Sequence, residues 1–197
     1  MRKGIIFCLL FVVLVHLSGI AYAAHGFEVE FSADVIEIYS KDPSKNFKGT
    51  MYVGNDIIRK DFFYDNLQAV MILDLVKQTA TMLMPYAKTY MMMTKKDMES
   101  LFGHVIGHLP NALSNGPCAG RSDLICREIG QEKLDDRDTE KWEVKSQTGV
   151  VYQWVDHRLR VTIREEFSDH IYELRNIKEG HQPDNLFQIP AGYKRIQ

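Results

Sequence analysis

Charge of one sign, cysteine and long apolar runs are all scarce in this chain. Its 24 basic and 26 acidic side chains nearly cancel, for a formal charge of -2. The basic surplus that replaces counterions on phosphate is therefore missing, which excludes a dedicated nucleic-acid binder. Three cysteines include no Cys-x-x-Cys pair, so neither dithiol redox chemistry nor a structural zinc site has its ligands. The apolar run Ile5 to Val15 is too short to cross ~30 Å of hydrocarbon comfortably. A Gly-x-Ser-x-Gly elbow, a phosphate-binding glycine loop and a His-Glu-x-x-His helix are likewise missing. The acidic pairs Glu165-Glu166 and Asp135-Asp136 are adjacent, which turns them to opposite sides of a strand, or to water in a turn, instead of towards one substrate. No catalytic residue, cofactor or metal site follows from the sequence, and a non-enzymatic role is expected.

What is present is a globular composition, 45% hydrophobic and 11% aromatic, with one unlike segment at its start. Met1 to Ala23 combines Arg2 and Lys3, the apolar stretch that holds Cys8, and a small-x-small Ala21-Tyr22-Ala23. Those are the three parts of a signal peptide. Residues 1–23 are expected to be a leader cut after Ala23, and 24–197 a single exported domain in the periplasm. Cys118 and Cys126 are then expected to meet an oxidising compartment. Paired, they would close a nine-residue loop, for which the chain-entropy model gives roughly 2 to 3 kcal/mol.

Alternation dominates the rest. Phe27, Val29, Phe31, Ala33 and Val35 alternate with Glu28, Glu30, Ser32 and Asp34, the period of a strand with one wet face. The pattern slips at Val35-Ile36 and resumes as Ile36 and Ile38, which predicts a bulge there. Further strands are expected at 49–53, 57–64, 69–76, 79–84, 129–134, 140–145, 150–155, 159–166 and 171–177, joined mostly by turns too short for crossover helices. An up-and-down antiparallel sheet that curls to bury one face follows. One segment breaks the pattern. Thr94 to Leu109 places Met98, Leu101, Phe102, Val105, Ile106 and Leu109 at helical spacing, with Thr94 as a cap and Asp97 in the first turn.

Two clusters could carry chemistry. His104 and His108 lie four apart on the expected helix, on one face, but two ligands do not make a metal site. Met82, Met84, Met91, Met92, Met93 and Met98 fall within seventeen residues. Thioether clusters suit Cu(I), whereas methionine also fills irregular apolar space. Both readings stand at this level. Met71, Met82, Met84, Met91 and Met93 from the sheet, and Met98, Leu101, Phe102, Val105 and Ile106 from the helix, are the candidate lining of an apolar cavity, or of a packed core made from the same residues. Arg158, Arg160 and Arg164 share a strand face that could meet anionic headgroups or simply water.

Several runs carry a family likeness: Leu83-Met84-Pro85-Tyr86-Ala87-Lys88-Thr89-Tyr90, then Gly130-Gln131-Glu132 with Lys141-Trp142-Glu143, and finally Asn176-Ile177, Pro183, Leu186-Phe187 and Ile189-Pro190-Ala191-Gly192-Tyr193. They resemble an exported bacterial family of unassigned function, itself similar to the outer-membrane lipoprotein carrier (LolA/LolB-like) superfamily. Asp135-Asp136-Arg137 stands where that family usually has an Asn-Gly turn, which leaves the turn type open. The resemblance implies an unclosed β-barrel lidded by one or two helices over an apolar cavity. It implies as ligand an acyl chain, a lipid or a lipidated protein, with an outer- or inner-membrane protein as possible partner. In the carriers an arginine on an early strand holds the lid, a role the resemblance assigns to Arg59. The alternatives are an envelope copper-handling protein using the methionine and histidine cluster, and an assembly partner with a filled core.

Overall fold

The computed structural model describes residues 27–64, 66–94, 97, 117–118 and 122–196. The expected leader, and the expected helix beyond Asp97, lie outside them. Among the described residues twelve strands build one sheet: β1 (Phe31–Tyr39), β2 (Phe47–Val53), β3 (Ile57–Tyr64), β4 (Leu67–Asp74), β5 (Thr79–Met84), β6 (Thr89–Thr94), β7 (Ile125–Leu134), β8 (Arg137–Ser146), β9 (Gly149–Asp156), β10 (Thr162–Glu166), β11 (His170–Glu179) and the two-residue β12 (Lys194–Arg195). Their order is β12-β6-β5-β4-β3-β2-β1-β11-β10-β9-β8-β7. Among the described residues β7 and β12 are edges, so the sheet is unclosed.

A simple up-and-down order is corrected by this topology. It would set β6 beside β7 and leave β1 at an edge. Instead β1 pairs antiparallel with both β2 and β11, which fuses two meanders, β1 to β6 and β7 to β11, along the most apolar strand near the N-terminus. Burial explains the choice, since Phe31 and Val35 are fully buried and Ala33 nearly so. β6 and β12 are two strands that alternation did not predict; β12 runs parallel to β6, Lys194 opposite Thr89 and Arg195 opposite Tyr90.

The expected bulge at Val35-Ile36 is also corrected. Pairing of β1 with β2 runs without a shift from Phe31 opposite Val53 to Glu37 opposite Phe47; the irregularity lies on the β11 side, between Ser32 and Asp34. Ile36 and Ile38 therefore face outward, with Ile38 exposed, and Glu37 shares the inner face with Val35. The β7–β8 connection settles the turn left open above. Asp135 and Asp136 have φ of 45° and 63° between paired Leu134 and Arg137, the positive-φ pair of a two-residue type I′ turn. Thr94 and Asp97 bond reciprocally: the Thr94 backbone N and Oγ1 donate to Asp97 Oδ2 at 2.8 and 2.7 Å, and Asp97 N donates back to Thr94 Oγ1 at 3.4 Å, the pattern of a capping box.

Candidate functional site

Strand pairing aligns side chains into rows, because directly opposed residues on neighbouring strands share a face. One inner-face row runs Ala33, Met51, Lys60, Met71, Met82, Met91 across β1 to β6. A second, two residues along, runs Phe31, Val53, Ile58, Leu73, Ala80, Met93. Lys60 apart, both belong to or pack against the main apolar cluster, which also takes Leu159, Val161 and Ile163 from the β9–β10 connection and β10, and Tyr172 and Leu174 from β11. Of the expected cavity residues, Met71, Met82 and Met93 are buried on this face and Met91 is half-buried beside them. Met84 is half-buried near the end of β5, opposite Thr89. Met98, Leu101, Phe102, Val105 and Ile106, and with them His104 and His108, lie outside the described residues. Among the described residues no group of three His, Cys, Asp or Glu is placed to hold a metal ion. Cys118 and Cys126 form a disulfide.

Lys60 is the residue that sequence reasoning missed. It is 8% exposed and sits between Met51 and Met71 in the row. Its ammonium lies 4.7 Å from the Phe47 ring centre and 5.9 Å from that of Tyr172. Tyr172 is on β11, three strands away in the sheet order; strands spaced by about 4.8 Å bring those groups together only if the sheet is curled. Among the described residues no carboxylate pairs with the ammonium; Glu37 acts on it at longer range. Burial pushes the Lys60 pKa down, with Glu37 opposing, and burial pushes the Tyr172 hydroxyl up, helped by Glu165 and Glu37. A signal for Lys60 was present: in Ile58-x-Lys60-x-Phe62 it holds an inward position of a strand whose limits alternation predicts correctly.

Lys60 gives stability a definite pH dependence. Between its lowered folded pKa and the ordinary 10.5, the unfolded chain holds a proton that the folded chain has released, so stability rises with pH through that window. Lys60→Met removes the effect. The variant should be at least as stable as the parent near about pH 7, with the difference moving in the parent's favour as pH approaches about 10.5. Urea unfolding of both proteins across that range checks it; parallel curves would contradict the burial account.

Arg59 faces the other side. Its Nε and Nη2 donate to Asp61 Oδ1 and Oδ2 at 2.6 and 2.9 Å, and its Nη1 donates to the Leu186 carbonyl at 2.7 Å. The residues that carried the family likeness at the C-terminus thus form a strap over the outer face. Asp184–Phe187 is a 3-10 turn; Phe187 packs over Gly54; Tyr193 packs with Val70, Ile72 and Leu83. The lid that the resemblance assigns Arg59 to hold lies outside the described residues; Arg59 bonds this strap at Leu186. Its contacts are to Asp61, Leu186 and the Tyr52 ring, on the face opposite the methionine row. Arg59→Ala should cost about 1–2 kcal/mol and speed amide exchange at Lys194 and Ile196, whose N–H groups bond Lys88 O and Tyr90 O. Unchanged exchange at those two amides would show that the strap is held without Arg59.

Of the other motif residues, Glu132 and Lys141 meet on the outer face of β7 to β10, while Trp142 is turned to the opposite face by its pairing with Gln153. Trp154 lies between Lys141 and Arg164, with ring-centre distances of 4.6 and 5.2 Å, and its Nε1 donates to Glu132 Oε2 at 2.7 Å. That bond, together with Lys141, holds the Glu132 carboxyl below its usual range. The three arginines considered for headgroups are each paired: Arg158 with Glu179, Arg160 with Glu28, and Arg164 with Glu173 and Glu166. A cavity of about 540 Å³ opens beside Arg137, Ile163, Glu173 and Leu174. Its lining contains none of the expected cavity residues, and its cations are already paired within the protein, Arg137 by Asp156 and Glu179 and Arg175 by Glu173.

No family model matches the chain, and no curated protein matches it. Solved structures do. An uncharacterized conserved protein from Thermus thermophilus superposes with a TM-score of 0.57 at 9% identity, over 85% of this chain and 89% of that one. The Pseudomonas aeruginosa MucA/MucB complex gives 0.50 at 10% identity, over 82% of this chain and 56% of that one. A LolA superfamily protein from Nitrosomonas europaea is also among the neighbours, with a TM-score of 0.36 at 12% identity over 85% of this chain and 91% of that one. At such identities the likeness is one of fold alone: a large, unclosed, mainly β sheet with known structural counterparts.

Proposed function

We propose that the protein is a non-enzymatic, exported envelope protein that holds an acyl chain, of a lipid or a lipidated protein, against the inner face of its sheet. The observation that carries this reading is the methionine-rich row from Met51 to Met91, which crosses β2 to β6 without closing into a barrel. Methionine is unbranched and polarizable, so such a face can remodel around chains of different length. Each methylene transferred from water contributes about 0.8 kcal/mol, and carriage needs no covalent step. Residues 24–197 form the carrying domain once the leader at 1–23 is removed, and the periplasm is where it works. MucB was solved with MucA, and by analogy of fold a protein partner at the membrane fits this role.

A neutral apolar fluorophore, N-phenyl-1-naphthylamine, tests the reading. The purified protein should bind it saturably, long-chain lipids should displace it, and native mass spectrometry of protein taken gently from the periplasm should show retained lipid. Absence of both saturable binding and co-purified lipid would end the proposal.

A further inference from the structure

We infer that the inner face selects a single acyl chain bearing a carboxylate, with Lys60 as the group that receives the head. The inference rests on the acyl-binding reading above and adds the chemistry of the ligand's charged end. Lys60 is 8% exposed, and among the described residues no carboxylate pairs with it. Its ammonium is set over two aromatic faces, Phe47 and Tyr172. Ring faces attract a cation without neutralising it, so a buried positive charge is left in want of an anion.

The groups that face it from neighbouring strands do not fill that need. Glu37 on β1 is engaged by Tyr39 Oη at 3.5 Å and lies 3.8 Å from His170 Nε2. Glu165 on β10 accepts from Gln153 Nε2 at 2.5 Å. Tyr172 offers a neutral hydroxyl, kept neutral by burial. Met51 and Met71 flank the lysine and carry no charge.

The row gives the direction of the ligand. From Lys60 it continues through Met71, Met82 and Met91, three strand spacings or about 14 Å of thioether surface. A chain laid across the strands would rest its tail on those methionines with its head at Lys60. The head's charge follows from counting. Among the described residues β1 to β6 place no second lysine or arginine on this face, so one ammonium meets one negative charge. A carboxylate matches that better than a phosphate monoester, which carries up to two charges and is held in proteins by several donors.

Displacement of bound N-phenyl-1-naphthylamine by laurate, dodecanol and dodecyl phosphate reads this directly on the parent and on Lys60→Met. The parent should prefer laurate to dodecanol by about tenfold or more, the size of a charge-assisted bond. In Lys60→Met that preference should fall to within about twofold of unity, with circular dichroism reporting an intact fold. Equal displacement by laurate and dodecanol on the parent, or a laurate preference that survives the substitution, overturns the inference while leaving acyl binding standing. Dodecyl phosphate outcompeting laurate overturns the assignment of a carboxylate. Failure of the fluorophore and of every twelve-carbon ligand to bind the parent refutes the underlying acyl-binding reading instead.

Discussion

Asp156→Ala should lower the stability of this protein by about 3–5 kcal/mol, the usual consequence of removing one partner of a buried charge pair. Asp156 ends β9 and is 2% exposed. One oxygen, Oδ2, accepts from Arg137 Nε; the other accepts the backbone N–H groups of Arg158 and Leu159 at 2.8 and 2.7 Å. Its own backbone bonds close the same turn, with Asp156 N donating to Val161 O and Arg160 N to Asp156 O, both at 2.9 Å. The carboxylate therefore does two things: it shapes a turn that forces Arg160 to φ 54°, and it neutralises the Arg137 guanidinium, which also bonds Glu179 at 2.7 Å. Alanine leaves two backbone donors without their acceptor and a largely buried guanidinium with one carboxylate fewer. Asp156→Asn keeps an oxygen for the two amides and should lose about half as much. Urea unfolding of both variants measures this; an Asp156→Ala protein within about 1 kcal/mol of the parent would show that the turn forms without the clamp.

That turn also shows where alternation misleads. Leu159, Val161 and Ile163 do point inward, at 3%, 0% and 3% exposure, as their spacing predicts. The strand, however, begins only at Thr162, because Asp156 folds residues 157–160 into a turn that happens to preserve the parity. Limits were legible where turn residues separated two runs, as at β5, whose ends match the expectation. They were not legible where the signal was compositional. The methionine run that forms β6 lacks the apolar-polar alternation of a half-wet strand, and its edge is paired by a C-terminal strap that Arg59 bonds at Leu186, residues 127 apart. β1 failed for the opposite reason. Ile36 and Ile38 look like core residues, but the unbroken pairing with β2 turns Glu37 inward, where Tyr39 Oη donates to it and His170 Nε2 lies 3.8 Å away. Of the candidate site, the methionines were visible as a cluster. Their alignment into a row with a lysine inside it is a property of register, which a single strand's pattern does not contain.

Register also makes Gly49 the position where the smallest change should do the most damage. It lies on β2 opposite Val35, and a Cβ built on it would sit 2.4 Å from the Asp61 carbonyl oxygen of β3 and 3.1 Å from two atoms of the Phe47 ring. The first contact is to backbone, which cannot swing aside as a side chain can, so Gly49→Ala must either part β2 from β3 or tilt the peptide at Asp61. The second would push Phe47 off its place beneath the Lys60 ammonium. About 3 kcal/mol is expected from the overpacking, together with weaker acyl binding because the ring that helps fix Lys60 has moved. Gly54→Ala is the matched control: its added Cβ would meet Ile57 Cγ2 at 3.0 Å and the edge of the Phe187 ring at 3.3 Å, both of them side-chain atoms able to yield, for a cost of about 1 kcal/mol. Denaturant unfolding and fluorophore binding on the two variants separate the effects. Gly49→Ala losing no more stability than Gly54→Ala would mean that β2 and β3 are not held as closely at this point as the contact requires. A Gly49→Ala protein that unfolds earlier yet binds as tightly as the parent would detach Phe47 from the site and leave Lys60 to be positioned by its methionine neighbours alone.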